Sequence, residues 1–277
     1  MARPSPTPVP FAKYSGAGND FVIVGADSVG DLDPAVLASR MCSRRTGVGV
    51  DGMALVRAAG EGRLEVRFFN PDGSEFGTCG NGTRCVALWA ADRDLAPGGS
   101  LRIETSDGPI DAAVDGRSVA LDYRIEAYLV RTLEVELGGR TRTARLVQIG
   151  TPHLIVPLDV LPAGPIEEAC RPVRHDPALG PEGANVDLVA LEEPDLGAIR
   201  TFERGVEGET LACGSGAMAA ALALHAAGAA GPELRLVTRS GDPLTVTLLD
   251  PDEEGPIRRI RLSGPARRIF EGRYPAP

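Results

Sequence analysis

Two stretches of this 277-residue chain decide its fold: CGNGTRCVALWAA, from Cys79 to Ala91, and CGSGAMAAALALHA, from Cys213 to Ala226. Each opens on Cys-Gly-x-Gly and runs into a small, apolar, Ala-rich segment. Working outward from them, two further pairs of matching segments appear in the same order. Gly18-Asn19-Asp20-Phe21-Val22-Ile23-Val24 resembles Gly150-Thr151-Pro152-His153-Leu154-Ile155-Val156, and LRIETSDGPI from Leu101 resembles LRLVTRSGDPL from Leu234. From Gly18 to Gly150, Cys79 to Cys213 and Leu101 to Leu234 the offsets are 132, 134 and 133 residues. Three anchors in one order at nearly constant spacing point to a duplicated domain, and a period of that size means two similar halves rather than a solenoid.

Each half reads alike. Short β-type runs come first: Phe21–Val24 and Leu64–Phe69, then Leu146–Ile149, Leu154–Val156 and Ile199–Phe202. A Cys-Gly-x-Gly turn leads into an Ala-rich helix, expected over Thr83–Asp92 and Ala217–Ala227. Further strands close each half. An apolar helix among many strands predicts a buried helix wrapped by sheet. The fold class is therefore α+β. Residues 11–121 with 263–277 would form the half carrying Cys79, and residues 122–262 the half carrying Cys213. Residues 1–10, rich in proline, read as an extended flexible tail.

Composition narrows the function. The net charge of −9 argues against a nucleic-acid partner, which calls for a basic face. No stretch approaches the roughly 20 apolar residues of a membrane helix, and the N-terminus has no apolar signal core. A cytoplasmic, reduced protein is the expectation. Its five cysteines, an odd number in a chain of this length, are then free thiols. A homodimer is left open by the sequence.

A cysteine just before a helix meets unpaired backbone N–H groups and the positive end of the helix dipole. That setting lowers a thiol pKa toward ~3.5–7.5. The same N–H groups can hold a carboxylate, and the flanking glycines let a ligand come close. One copy alone reads more readily as a small buried cysteine in a glycine turn; two copies at duplicated positions do not. Cys42, Cys85 and Cys170 have no repeat partner and read as structural. Cys79 and Cys213 facing each other would form a disulfide, hold a metal, or act on opposite faces of a ligand. Metal binding lacks a Cys/His cluster at ligand spacing, so no metal is expected. Redox use lacks Cys-x-x-Cys. Opposite-face acid–base work fits best: inverting a stereocentre needs a proton removed from one face and delivered to the other. Pyridoxal phosphate requires a Schiff-base lysine, and the single lysine, Lys13, lies before the first Gly-rich turn. No cofactor is expected.

The asparagines, Asn19, Asn70, Asn81 and Asn185, all fall in Gly-rich or strand-end segments. Asn favours turns for local reasons, which accounts for part of this clustering. Glu203 and Arg204 precede Cys213 much as Phe69-Asn70 precede Cys79; a surface ion pair is the plain alternative for them. His153 aligns with Phe21. His225 reads as helix packing and His175 as exposed.

KYSGAGNDFVIV, RRTGVGVDG, FFNPDGSEFGTCGNGTRC, GTPHLIV, GANVDL, FERGVEGETLACGSGA and LSGPARRIFEG together resemble the diaminopimelate epimerase family, over nearly the whole chain. The resemblance implies two pseudo-symmetric barrel-like domains of mainly antiparallel strands, each around a central helix, with the active site in the cleft between them. It implies interconversion of LL- and meso-diaminopimelate without a cofactor. Cys79 and Cys213 would be base and acid, assisted by His153 and Glu203. Gly80, Asn81, Gly214 and Ser215 would bind the reacting carboxylate, and Asn19, Asn70, Asn185 and Arg204 would contact the substrate. Two positions depart from the family pattern: Thr151 stands where Asn usually precedes Pro-His, and Gly52 where Gln is frequent. A racemase of another amino acid, or a non-catalytic amino acid-binding protein on the same halves, are the alternatives.

Overall fold

The computed structural model describes residues 7–126, 128–251 and 257–275. They divide into two compact units, one reaching Leu121 and resuming at Pro265, the other spanning Asp122–Gly264.

The first unit runs β1 (Val9–Gly16), β2 (Asn19–Gly25), α1 (Pro34–Cys42), β3 (Gly52–Ala58), β4 (Arg63–Phe69), β5 (Glu75–Phe76), α2 (Gly80–Ala91), β6 (Ser100–Thr105), β7 (Gly108–Asp115) and β8 (Ser118–Arg124), whose end crosses the division. The second runs β9 (Leu129–Leu137), β10 (Arg140–Ile149), β11 (Thr151–Pro157), α3 (Glu167–Arg174), β12 (Asn185–Glu193), β13 (Leu196–Glu203), β14 (Gly208–Thr210), α4 (Gly214–Ala226), β15 (Glu233–Val237), β16 (Pro243–Leu248) and β17 (Arg259–Pro265). The chain then returns to the first unit as β18 (Arg267–Tyr274).

The duplication is visible in the pairing. In the first unit the strand order is β18-β1-β2-β3-β4-β6-β7. In the second it is β9-β10-β11-β12-β13-β15-β16-β17. Antiparallel pairs dominate, but each unit holds two parallel pairs at equivalent places: β2 on β3 and β4 on β6, β11 on β12 and β13 on β15. A parallel pair needs a crossover. The first crossover in each unit carries α1 or α3, and the second carries α2 or α4.

α2 packs against β1, β2, β3, β6, β7 and β18, and α4 against β10, β11, β12, β15 and β16. Each is thus the core around which its own strands curl. Every α2 residue from Asn81 to Ala90 is buried. α4 is Ala- and Leu-rich on all sides, as a helix enclosed by sheet must be, and its small side chains let strands approach from every direction.

Both central helices begin earlier than expected from sequence. The Cys-Gly-x-Gly segments are not turns before the helix: Cys79 and Cys213 are the N-caps, and the glycines form the first helical turn. Crowding explains why glycine is kept there despite its poor helix propensity. A Cβ on Gly82 would lie 2.8 Å from the Phe68 ring, and one on Gly216 2.4 Å from Asp187 Oδ1.

α1 and α3 were not anticipated, although Asp33-Pro34 at the start of α1 is a capping signal: Asp33 accepts the Ala35 N–H, with proline at the first helical position. Of the tail expected over 1–10, Val9 and Pro10 are in β1, opposite Tyr274 and Arg273, and Val9 is fully buried; residues 1–6 lie outside the described residues. Ser263 and Gly264, expected with the first half, belong to the second, because β17 runs on and Ser263 pairs with Thr245. Among the described residues no helix is long and apolar enough to cross a membrane.

Candidate active site

In the first unit the Cys79 thiol donates to Asn19 Oδ1 at 3.6 Å. A chain of donors holds that amide in place. The fully buried Arg84, one turn into α2, donates to Asn81 Oδ1 at 2.7 Å. The Asn81 amide therefore presents Nδ2 to Asn19 Oδ1, at 3.4 Å. Asn19 Nδ2 in turn donates to Asp51 at 2.8 Å. The Asp51 carboxylate is also bonded by the Asp20 N–H and by Arg44. Gly80 is the first residue of α2 and Asn81 the second, so their N–H groups belong to the turn that has no intrahelical acceptor. Asn70 is not part of this network: its Nδ2 donates to Ser74 within its own turn. Lys13 sits 2.7 Å from the Asp20 carboxylate and donates to the Gly49 carbonyl.

The second unit builds a denser site around Cys213, Ser215, Asn185, His153 and Glu203. Cys213 Sγ accepts the Gly216 N–H at 3.4 Å and lies 3.4 Å from Ser215 Oγ. Ser215 Oγ is 3.0 Å from His153 Nε2, and His153 Nδ1 is 2.8 Å from Asp187 Oδ2. Both His153 and Asp187 are fully buried. Thr201, opposite Asp187 across the β12–β13 pair, donates to the other carboxylate oxygen at 2.7 Å. Glu203, at the end of β13, accepts from the Thr210 hydroxyl of β14 at 2.7 Å.

The charges here correct one expectation from sequence. The place of Cys213 at a helix start predicts a low-pKa thiol. Instead its pKa is pushed well above the ordinary thiol value, first by burial and then by the negative charges of Glu203 and Asp187. The hydrogen bond shared with Ser215 and the one donated by the Gly216 N–H oppose this and lose. A helix N-terminus stabilises an anion by only ~0.3–1 kcal/mol at the surface, less than burial and two nearby carboxylates cost it. Glu203 is raised as well, chiefly by its own burial. Glu203 is thus no surface ion-pair residue, whereas the Arg204 guanidinium does pair with Glu182, at 2.7 Å. The Arg204 backbone N–H donates to Asn185 Oδ1 at 2.7 Å.

Sequence reading passed over Asp187 and Asp51. Asp187 had a signal: a carboxylate inside the otherwise apolar, wholly buried run Val186–Ala190 must have partners. His225 bonds the Ala230 carbonyl after α4, and His175 is mostly exposed beside Glu207. At Gly52 a side chain would meet the Phe21 ring at 2.7 Å, so a larger residue at this position has no room without moving that ring. Thr151 opens β11 and is half-buried. Among the described residues, no group of three or more His, Cys, Asp or Glu side chains is placed to hold a metal ion.

A sequence model of the family described as diaminopimelate epimerase matches residues 11–123 and 145–268. The diaminopimelate epimerase of Desulforudis audaxviator is 37% identical over 284 residues, covering 95% of this chain and 98% of that one. The enzyme of the same name from Moorella thermoacetica is 36% identical over 289 residues, covering 96% and 99%. Among solved structures, a phenazine biosynthesis protein of the PhzF family from Enterococcus faecalis superposes with a TM-score of 0.71 at 18% identity, covering 96% of this chain and 98% of that one, which speaks to the fold alone. The chain belongs to the diaminopimelate epimerase family.

Proposed function

We propose that this protein epimerises LL-diaminopimelate to meso-diaminopimelate, and the reverse, by a two-base mechanism in which Cys79 and Cys213 act on opposite faces of one α-carbon. The match to the family over nearly the full length of both chains carries the reaction and its substrate. The equivalent N-cap positions of the two cysteines support the mechanism.

An amino acid α-proton is too weakly acidic for a thiolate unless the carbanion is stabilised. The first-turn N–H groups of α2, at Gly80 and Asn81, and of α4, at Gly214 and Ser215, are the donors for the substrate carboxylate as charge moves onto it. One sulfur, as thiolate, removes the α-proton; the other, as thiol, delivers its proton to the opposite face. The roles reverse for the opposite stereoisomer. Glu203 and His153 serve the sulfurs and the substrate ammonium. Asn19, Asn70, Asn185 and Arg204 contact the rest of the substrate, whose second carboxylate suits the Arg204 guanidinium. The setting is a reduced cytoplasm and the pathway lysine and cell-wall synthesis. Ile269 and Phe270, exposed on β18, offer an apolar strand surface to a homodimer; a single sedimenting species of monomer mass would overturn that last point.

Thr151 favours a second reading, the same chemistry on another amino acid, since Asn is usual there. Incubating the reduced protein with LL-diaminopimelate and following stereochemistry by chiral chromatography decides the matter. Turnover to the meso form supports the first reading. No turnover of diaminopimelate, with racemisation of another L-amino acid from a panel, replaces it by the second. No turnover of any of them leaves an amino acid-binding protein.

A further inference from the structure

We propose that the Ser215 hydroxyl relays the Cys213 proton to His153, and that Asp187 is the positioning residue that keeps His153 in the tautomer able to receive it. The inference rests on Cys213 being an acid–base sulfur.

The hydrogen-bond directions follow from one donor whose identity is beyond choice. The Arg204 backbone N–H can only donate, so the Asn185 atom it meets at 2.7 Å is Oδ1. Asn185 then presents its NH2 group to His153 Nε2, at 3.4 Å. A donor facing Nε2 means that Nε2 accepts. A neutral imidazole accepting at Nε2 carries its hydrogen on Nδ1, where the Asp187 carboxylate lies 2.8 Å away to take it. Asp187 cannot turn aside: Thr201 bonds its other oxygen at 2.7 Å, and the α4 backbone at Gly216 closes over it. Ser215 Oγ, 3.0 Å from Nε2, therefore donates to His153 and offers its lone pairs to Cys213 Sγ at 3.4 Å.

The path is Cys213 Sγ–H to Ser215 Oγ, and Ser215 Oγ–H to His153 Nε2. One S–H and one O–H bond break, and one O–H and one N–H bond form. Serine ends as it began, the sulfur becomes a thiolate, and the imidazole becomes an imidazolium beside the Asp187 carboxylate. The thiolate keeps the Gly216 N–H and the restored Ser215 hydroxyl as donors. The ionisable groups around Cys213 are Glu203 from β13, Asp187 from β12 and His153 from β11. Both carboxylates disfavour the thiolate, so its formation depends on a neutral acceptor that becomes positive, which is what the relay supplies.

The test labels Cys213 with iodoacetamide across a pH series and counts the modified peptide by mass spectrometry, using full-length protein without substrate. The rate reports the thiolate fraction, so the experiment stands whether or not diaminopimelate is turned over. Ser215→Ala and Asp187→Asn should each slow neutral-pH labelling about tenfold, the scale of one hydrogen bond to a charged group. Ser215→Thr, which keeps the hydroxyl, should stay within about threefold of the parent on the same scale. Ser215→Ala combined with His153→Gln should be no slower than the slower single variant, because both cut one path. Parental labelling in Ser215→Ala, multiplicative effects in the double variant, or a Ser215→Thr as slow as Ser215→Ala would each overturn the relay. So would Glu203→Gln removing the pH dependence while Ser215→Ala keeps it, since the proton then leaves through Glu203.

Discussion

Gly216→Ala is the smallest change that puts the geometry behind Cys213 under load. A methyl group at this position would sit 2.4 Å from Asp187 Oδ1 and 3.2 Å from its Cγ. The carboxylate is fully buried and held by His153 and Thr201, so it moves only by giving up one of those bonds. Overpacking a closed core costs about 1–3 kcal/mol. Weakening a hydrogen bond to a buried charge adds about 1.5–3 kcal/mol. Replacing glycine by alanine in a helix returns about 1 kcal/mol. The net loss is about 3 kcal/mol, a fall in Tm of roughly 6–12 °C for a chain of this size. Gly164→Ala, in the same unit with nothing within 4 Å of the new methyl, is the control and should be neutral or gain up to about 1 kcal/mol. Urea unfolding of both variants measures the difference, and the Gly216 variant should also lose most of its epimerase rate. A Gly216→Ala protein within about 0.5 kcal/mol of the parent, the usual range of a neutral surface change, would refute the close packing of Asp187 on α4.

Alkaline pH should unfold the protein progressively. Cys42 and Cys170 are pushed up to about 12 by burial, and Cys85 and Cys213 are raised as well. The folded state therefore keeps protons that the unfolded state loses above its thiol pKa of about 8.5. Stability falls as pH rises past that point, by about 1.4 kcal/mol per thiol per pH unit; urea midpoints that stay flat from pH 8 to 10 would contradict it. Glu203→Gln should raise stability, because a carboxylate whose pKa burial has raised costs folding free energy at neutral pH, while activity falls; a destabilised variant with full activity argues against both. If the proposed two-base mechanism holds, mild oxidation should inactivate the enzyme by joining Cys79 to Cys213, with activity returning on reduction, and an oxidised protein that stays active would count against that mechanism.

The duplication was legible because each half keeps a Cys-Gly-x-Gly cap and an Ala-rich helix, and those features impose the same buried helix twice. The helix starts were misplaced because glycine reads as a turn when nothing in the sequence tells that Phe68 and Asp187 leave no room for a side chain. Parallel pairing was missed because the crossover helices α1 and α3 are short, and α3 carries Pro172 inside it. At the site, Cys213, His153, Glu203, Asn185 and Ser215 were chosen from sequence and do cluster, whereas Asn70 stays in its own turn. The protonation of Cys213 was not legible: it depends on how near Asp187 and Glu203 come, which strand register sets and residue types do not reveal.

The two-base claim is tested most directly by the fate of deuterium in the first few percent of turnover in D2O. A thiol carries a single proton, so the sulfur that removes the substrate hydrogen is not the one that delivers the product hydrogen. LL-diaminopimelate should therefore yield meso product deuterated at the inverted α-carbon while recovered substrate stays unlabelled, and Cys79→Ala and Cys213→Ala should each abolish product formation. Substrate that acquires deuterium as fast as product, or product that retains the original hydrogen, would contradict the account.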